Sequence, residues 1–326
     1  MLIQVIISLL ISLVVSVVAG FVYIPVLRQL KAGQSIRKDG PVWHSDKQGT
    51  PTIGGIIFIS GIVAAISVMG FVSGSGDLSH LFVLIFSLSF ALIGFVDDYH
   101  KVKKKQNLGL KSWQKFGLQL LVAVVFIFIM HHYGRLSSVV YIPFFNVSFQ
   151  MPIIPYYLFA IFVILGTVNS VNITDGIDGL ATGVTIPVAV AFVFISLLWG
   201  DFSSGIFAGA LVGGLVGFLF FNFHPAKVFM GDTGSLFLGG AICALALALD
   251  IPLLLITLGI VYFAETLSDI IQIGYFKLTN GKRVFKMAPL HHHLEMCGWN
   301  EYKIFAVFTA ISIVFAIISY IGIINR

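Results

Sequence analysis

Charge is what this chain lacks most. Of its 326 residues only 10% are Asp, Glu, Lys or Arg, against about 25% in an average soluble domain. By contrast 58% are hydrophobic, and Phe alone contributes 31 residues. That much apolar surface exceeds what one water-facing globule buries, which excludes a cytosolic domain, a coiled coil and a disordered chain. Cysteine is equally scarce. Cys243 lies in an apolar run and Cys297 in a polar loop, so neither a disulfide framework nor a Cys-based metal site is encoded. No Gly-x-x-x-x-Gly-Lys-Ser/Thr loop and no His-Glu-x-x-His helix occurs, which excludes a Walker-type phosphate cradle and a zinc-protease helix. The first cation is Arg28, behind the apolar stretch 2–27. With no basic segment ahead of it, that stretch reads as a retained span and not as a cleaved secretory signal.

What the chain has instead is apolar runs of spanning length. They fall at 2–27, 53–72, 78–96, 116–132, 153–171, 181–199, 205–222, 235–249, 251–276 and 303–324. The last boundary to be drawn, at Asp250-Ile251-Pro252, rests on the turn chemistry of Asp and Pro. Charge supports it, because 17 of the 19 Lys and Arg then fall in loops on one side, leaving only Arg135 and Arg326 on the other. The positive-inside rule makes the crowded side cytoplasmic. The expectation is an all-α polytopic membrane protein of ten transmembrane helices, one domain over 1–326, with both termini outside. A small outer-face β-hairpin is expected around Val139–Pro143 and Asn146–Phe149. The net charge of +5 then reflects sidedness, and no nucleic-acid partner is expected.

Sorted by that topology, eleven of the 14 acids gather at the cytoplasmic face. Five blocks stand out there. Asp97-Asp98-Tyr99-His100-Lys101 ends the third span. Two carboxylates at a helix C-terminus oppose its dipole, so they are not capping groups, and paired acids beside lysines suit a metal-bridged phosphate or a general base. In Asn169…Asn172…Asp175…Asp178 the spacing of three keeps the side chains on one face while the helix lasts. Asp178 is also a candidate N-cap for the next helix. Asn222-Phe223-His224-Pro225-Ala226-Lys227-Val228-Phe229-Met230-Gly231-Asp232-Thr233-Gly234-Ser235 opens a helix N-terminus suited to anions. There Asp232 reads equally as an N-cap, and Phe229 as an interfacial anchor or a ring that stacks on a base. Pro289-Leu290-His291-His292-His293 places three imidazoles that cannot all point one way, which argues against a three-His zinc site and for diphosphate binding or proton transfer. Lys47-Gln48-Gly49-Thr50-Pro51-Thr52 completes the set. Together they suggest magnesium-assisted phosphoryl transfer in the membrane plane, with a lipid acceptor arriving laterally.

These blocks, with Asp39-Gly40-Pro41, resemble the polyprenyl-phosphate N-acetylhexosamine-1-phosphate transferases over nearly the whole chain. Within that superfamily they resemble the phospho-N-acetylmuramoyl-pentapeptide-transferases. The resemblance implies ten helices, a cytoplasmic cleft in a bacterial plasma membrane, and a homodimer. It implies transfer of phospho-MurNAc-pentapeptide from UDP-MurNAc-pentapeptide to undecaprenyl phosphate, giving lipid I and UMP in peptidoglycan synthesis, with Mg2+ as cofactor. Carried over residue by residue, Asp232 is the magnesium ligand, Asp97 or Asp98 the base or nucleophile, and His291 a catalytic assistant. Lys47, Thr52, Asn169, Asn172, Asp175, Asp178, Asn222, Phe229, Gln272, His292 and His293 line the substrate site, with Lys101 and Lys115 nearby. Ile53, where Met is common, and Lys111-Ser112-Trp113 depart from the family pattern without touching these positions. Two other readings stand beside this one. A sister enzyme transfers GlcNAc-1-phosphate to the same carrier. A proton-coupled or ion transporter would use Glu265 and Asp269 as an intramembrane relay, although the acids do not continue to the outer face.

Overall fold

The computed structural model describes residues 1–30, 47, 49–73, 79–104 and 109–326. Asp39-Gly40-Pro41, His44, Asp46, Gln48, Asp77 and Lys105 lie outside the described residues. The helices are α1 (Leu2–Gln29), α2 (Gly55–Ser73), α3 (Ser79–Lys104), α4 (Ser112–His132), α5 (Ile153–Thr174), α6 (Leu180–Trp199), α7 (Phe202–Asn222) and α8 (Gly231–Ala248). After a 3-10 turn at Pro252–Leu254 come α9 (Leu255–Leu258), α10 (Ile260–Leu278), α11 (Leu290–Glu295) and α12 (Glu301–Ile321). The expected hairpin is present. Strands β1 (Val139–Ile142) and β2 (Val147–Gln150) pair antiparallel, Tyr141 opposite Ser148.

Among the described residues eight helices are long and apolar enough to cross a bilayer, or nine if the bent pair Pro252–Leu258 and Ile260–Leu278 counts as one span. The chain is a multi-pass membrane protein. The sequence expected ten transmembrane helices. Two of them differ: α2 has a shorter apolar run, Gly55–Phe71, and the stretch expected as one span at 251–276 is broken by an 82° bend. The break falls at Gly259, where an added Cβ would lie 2.7 Å from the Leu255 carbonyl oxygen. A glycine in the ladder is an identifiable cause of a sharp kink. The turn at Asp250 is where the sequence placed it, between α8 and Pro252.

Helices α6, α7 and α8 are buried around most of their circumference, whereas α1, α4, α5 and α12 bury one face and leave the other apolar and exposed. In lipid this division does not follow hydrophobicity, since tails are as apolar as Leu, and close backbone approach selects the packed faces. At Gly213 of α7 a Cβ would collide with the Leu9 carbonyl of α1. Ser8 Oγ closes the same seam by donating to the Ile206 carbonyl at 2.9 Å. Helix ends are locally coded too: Asp201 accepts from the Ser204 N–H and Asn300 from the Lys303 N–H, relieving N–H groups that a helix start leaves unpaired.

The termini share one end of the bundle. The Met1 side chain packs against Gly205 at the start of α7. Arg326 donates to the carbonyls of Leu249 (2.9 Å) and Asp250 (3.3 Å) and lies over the rings of Tyr141 and Trp199. Helix α8 has 18 residues, which at 1.5 Å each separates its two ends by about 27 Å. Asp232 therefore sits at the end of the bundle opposite both termini and the hairpin.

Candidate active site

Three carboxylates meet where the C-terminal turn region of α3 crosses the first turn of α8. Asp97, Asp98 and Asp232 each offer an oxygen, all within 4.8 Å of one another. The approach needs Gly94, since a Cβ there would collide with the Asp232 carbonyl. Two lysines face the acids. Lys101 Nζ lies 2.6 Å from both Asp97 and Asp232 and 3.8 Å from Asp98. Lys115, at the start of α4, lies 3.2 Å from Asp232 and donates to Asn172 Oδ1 at 3.0 Å. Asn172 Nδ2 in turn donates to Asp232 Oδ1 at 2.7 Å and to Ser235 Oγ at 2.8 Å. An all-oxygen set of three acids is the donor chemistry that magnesium takes, and it leaves room for phosphate oxygens.

The two adjacent acids have different duties. Asp98 takes the Thr233 N–H (2.9 Å) and hydroxyl (2.7 Å) on Oδ2, and the Asp232 N–H (3.2 Å) on Oδ1. Contrary to the expectation that neither acid is a capping group, it caps α8 from another helix, supplying acceptors that the start of α8 lacks locally. Asp232 is accordingly not an N-cap: it lies inside the first turn, and no side chain caps from the N-cap position, Met230. Asp97 accepts the Leu110 N–H at 2.6 Å and pairs with Lys101.

Asp178, also read as a candidate cap, is not one either; Gly179 holds the N-cap of α6 with φ +73°. Asp178 instead enters a second ionic node, with Lys47 at 2.7 Å, His224 Nδ1 at 2.8 Å and the Ala226 N–H at 3.0 Å. Glu301, at the first turn of α12, completes the node by taking Lys47 Nζ at 2.6 Å and the Asp178 N–H at 3.1 Å. Glu301 was missed as a site residue, because an acid in a helix's first turn reads as an ordinary dipole partner; His224 stood in the block 222–235 without an assigned role. Thr233, Ser235 and Gln119 were missed as well. Their partners are 50 or more residues away, so no local spacing announces them.

The remaining positions divide between the cleft and its supports. Asn169 sits one turn deeper than Asn172 and donates to Gln119 Oε1 at 2.8 Å. Asn222 is buried, holding Thr182 and the Val228 carbonyl. It thereby fixes the loop that presents Phe229, whose backbone is gripped by Pro51 and Gly54. Thr52 is buried against Gly231. Gln272 accepts from Val284 and Phe285 N–H and donates to the Phe285 carbonyl, so it braces the loop ahead of the histidines. The three imidazoles do diverge: His291 faces Glu265, His292 faces Glu295 at 2.6 Å, and His293 Nδ1 accepts the Lys286 N–H at 3.1 Å.

Asp175 follows the last residue of α5. Burial, and behind it the negative charges of Asp232, Asp98 and Asp178, push its carboxyl up to about 8. Between the unfolded value of about 3.9 and that folded value the native chain holds a proton that the unfolded chain releases. The contribution to stability is therefore full below pH 4 and lost as pH rises through 8. In magnesium-free buffer Asp175→Asn, which mimics the neutral form, should unfold at a higher temperature than the parent at pH 8 and at an equal one at pH 4. A variant no more heat-stable at pH 8 would count against the burial of that charge.

Residues 80–250 match the family model described as glycosyl transferase family 4. The chain is 46% identical over 305 residues to a phospho-N-acetylmuramoyl-pentapeptide-transferase of Clostridium acetobutylicum, covering 94% of each chain. It is 50% identical over 295 residues to the protein of that name from Heliobacterium modesticaldum, covering 90% of this chain and 89% of the relative. With the Listeria monocytogenes protein of the same name it shares 42% identity over 298 residues, 91% of each.

Proposed function

The chain belongs to the phospho-N-acetylmuramoyl-pentapeptide-transferase family, and we propose that it moves phospho-MurNAc-pentapeptide from its UDP conjugate to undecaprenyl phosphate, giving lipid I and UMP. The supporting observation is the meeting of Asp97, Asp98 and Asp232 with Lys101 and Lys115 at one end of a membrane bundle. Phosphoryl transfer asks mainly for positioned cations and a poised base, and that is the inventory found there. A lipid phosphate oxygen attacks the sugar-side phosphorus, the bridging P–O bond breaks, and UMP leaves. Asp232, with Asp97 and Asp98 beside it, would hold magnesium, which would supply charge neutralisation to the diphosphate. Asp97 accepts the lipid phosphate proton, since Asp98 is taken up by α8. Lys101 and Lys115 orient phosphate oxygens as point charges. Counting α2 and the broken α9–α10 segment as crossings gives the ten-span topology, with both termini outside and the cleft cytoplasmic, as the positive-inside rule requires.

Purified protein given undecaprenyl phosphate and magnesium is expected to release UMP from UDP-MurNAc-pentapeptide at least about tenfold faster than from UDP-GlcNAc, a modest discrimination worth roughly 1.4 kcal/mol. The opposite preference would favour the sister reaction. Stacking of Phe229 on the uracil predicts that Phe229→Ala weakens UDP-sugar binding about tenfold or more, at about 1–3 kcal/mol per stacked base, with the lipid KM unchanged. Equal loss for both substrates would sink the stacking role.

A further inference from the structure

Resting on that transferase reading, we infer that Glu265 is the positioning residue of His291. Glu265 lies on α10 with no solvent exposure, and His291 opens α11 at 1% exposure. The carboxylate grips the histidine twice: Oε1 accepts the His291 backbone N–H at 3.2 Å, and Oε2 faces Nδ1 at 2.9 Å. A carboxylate accepts and does not donate, so this contact places a proton on Nδ1. The other nitrogen, Nε2, is buried without a hydrogen-bond partner. It lies against Gly176, where an added Cβ would collide with it. Gly176 is exposed and immediately follows Asp175 in the run that carries Asn172.

The large majority of buried side-chain polar atoms have a hydrogen-bond partner, and a buried acid in a membrane helix is costly unless it serves a partner. Here the acid is used up on one imidazole edge while the opposite edge faces the loop of the candidate active site at Gly176 without a hydrogen-bond partner. A carboxylate that fixes the tautomer and tilt of an imidazole, so that its far nitrogen meets the reacting group, is a recurring device of proton-handling and metal sites. It also accounts for Glu265 without a transmembrane relay, because its two oxygens end on His291.

The test is a set of variants assayed for UMP release from UDP-MurNAc-pentapeptide: Glu265→Gln, Gly176→Ala, His291→Asn, and each of the first two combined with the third. Glu265→Gln is expected to lower kcat by about 10–100-fold, as loss of an orienting partner does, with the UDP-sugar KM within about threefold of the parent. In the His291→Asn background the same change should cost nothing further, since its effect passes through the imidazole. Gly176→Ala crowds Nε2 from the other side without touching the buried acid, and should show the same kcat loss and the same dependence on His291. It carries the test if Glu265→Gln does not fold. Losses that multiply in the double variants, or parent-like kcat in folded single variants, would overturn the inference. Absence of UMP release by the unmodified protein would instead overturn the transferase reading.

Discussion

Asp232→Asn should lower magnesium-dependent release of UMP by about 10³-fold in a protein that still folds. Asp232 gathers three side chains of the cleft: Lys101 at 2.6 Å, Lys115 at 3.2 Å and Asn172 at 2.7 Å all converge on its two oxygens. The amide keeps an acceptor for Asn172, so the α5–α8 contact survives. It loses the charge that holds two ammonium groups and the proposed metal, and that loss falls on the step where phosphate charge shifts. Loss of metal-assisted charge stabilisation is worth several kcal/mol, and each 1.36 kcal/mol is tenfold in rate. UMP release by the detergent-purified variant gives the rate, and its thermal unfolding shows whether the bundle is intact. Near-parental turnover in the folded variant would remove Asp232 from the chemistry.

That the chain crosses a membrane several times was legible in the sequence, because charge is rare and the apolar runs are of spanning length. The Asp250 turn and the hairpin were legible from Asp, Pro and alternating residues, which act locally. The 82° bend at Gly259 was not, since a glycine inside an apolar run looks the same whether the helix passes through it or breaks there. The candidate site divides along the same line. Asn172 and Asp232 could be picked out by residue type and spacing, and they do meet. The assignment of Asp178 and Asp232 as possible caps failed for a shared reason. Each stands beside a helix start, the position that favours capping, but its oxygens are taken by groups from distant parts of the chain: Lys47 and His224 for one, Lys101 and Lys115 for the other. Long-range pairing of that kind leaves no trace in local pattern. The capping that α8 does receive comes from Asp98, 135 residues before Thr233.

That last contact separates two neighbours that sequence could not tell apart. Asp98→Asn should be mainly a folding lesion. Its carboxylate serves the Thr233 N–H, the Thr233 hydroxyl and the Asp232 N–H, and an amide has one oxygen for the three. Hydrogen bonds to a charged group contribute about 1.5–3 kcal/mol each, and a buried donor left unpaired costs about 1–3 kcal/mol, so a loss of about 2–4 kcal/mol is expected. Asp97→Asn keeps an acceptor for the Leu110 N–H and forfeits chiefly the pair with Lys101, whose side chain is 28% exposed. Part-exposed pairs contribute about 1 kcal/mol or less. If Asp97 is the base, however, turnover falls by about 10²–10⁴-fold, the usual range for a positioned proton acceptor. The two variants should therefore separate on two axes. Asp97→Asn is expected to be stable and inactive. Asp98→Asn is expected to unfold at lower temperature, with an activity loss that shrinks as the assay is cooled and α8 re-forms its first turn. Thermal unfolding measured alongside UMP release at two temperatures checks both, and a stable, inactive Asp98→Asn beside an active Asp97→Asn would exchange the roles.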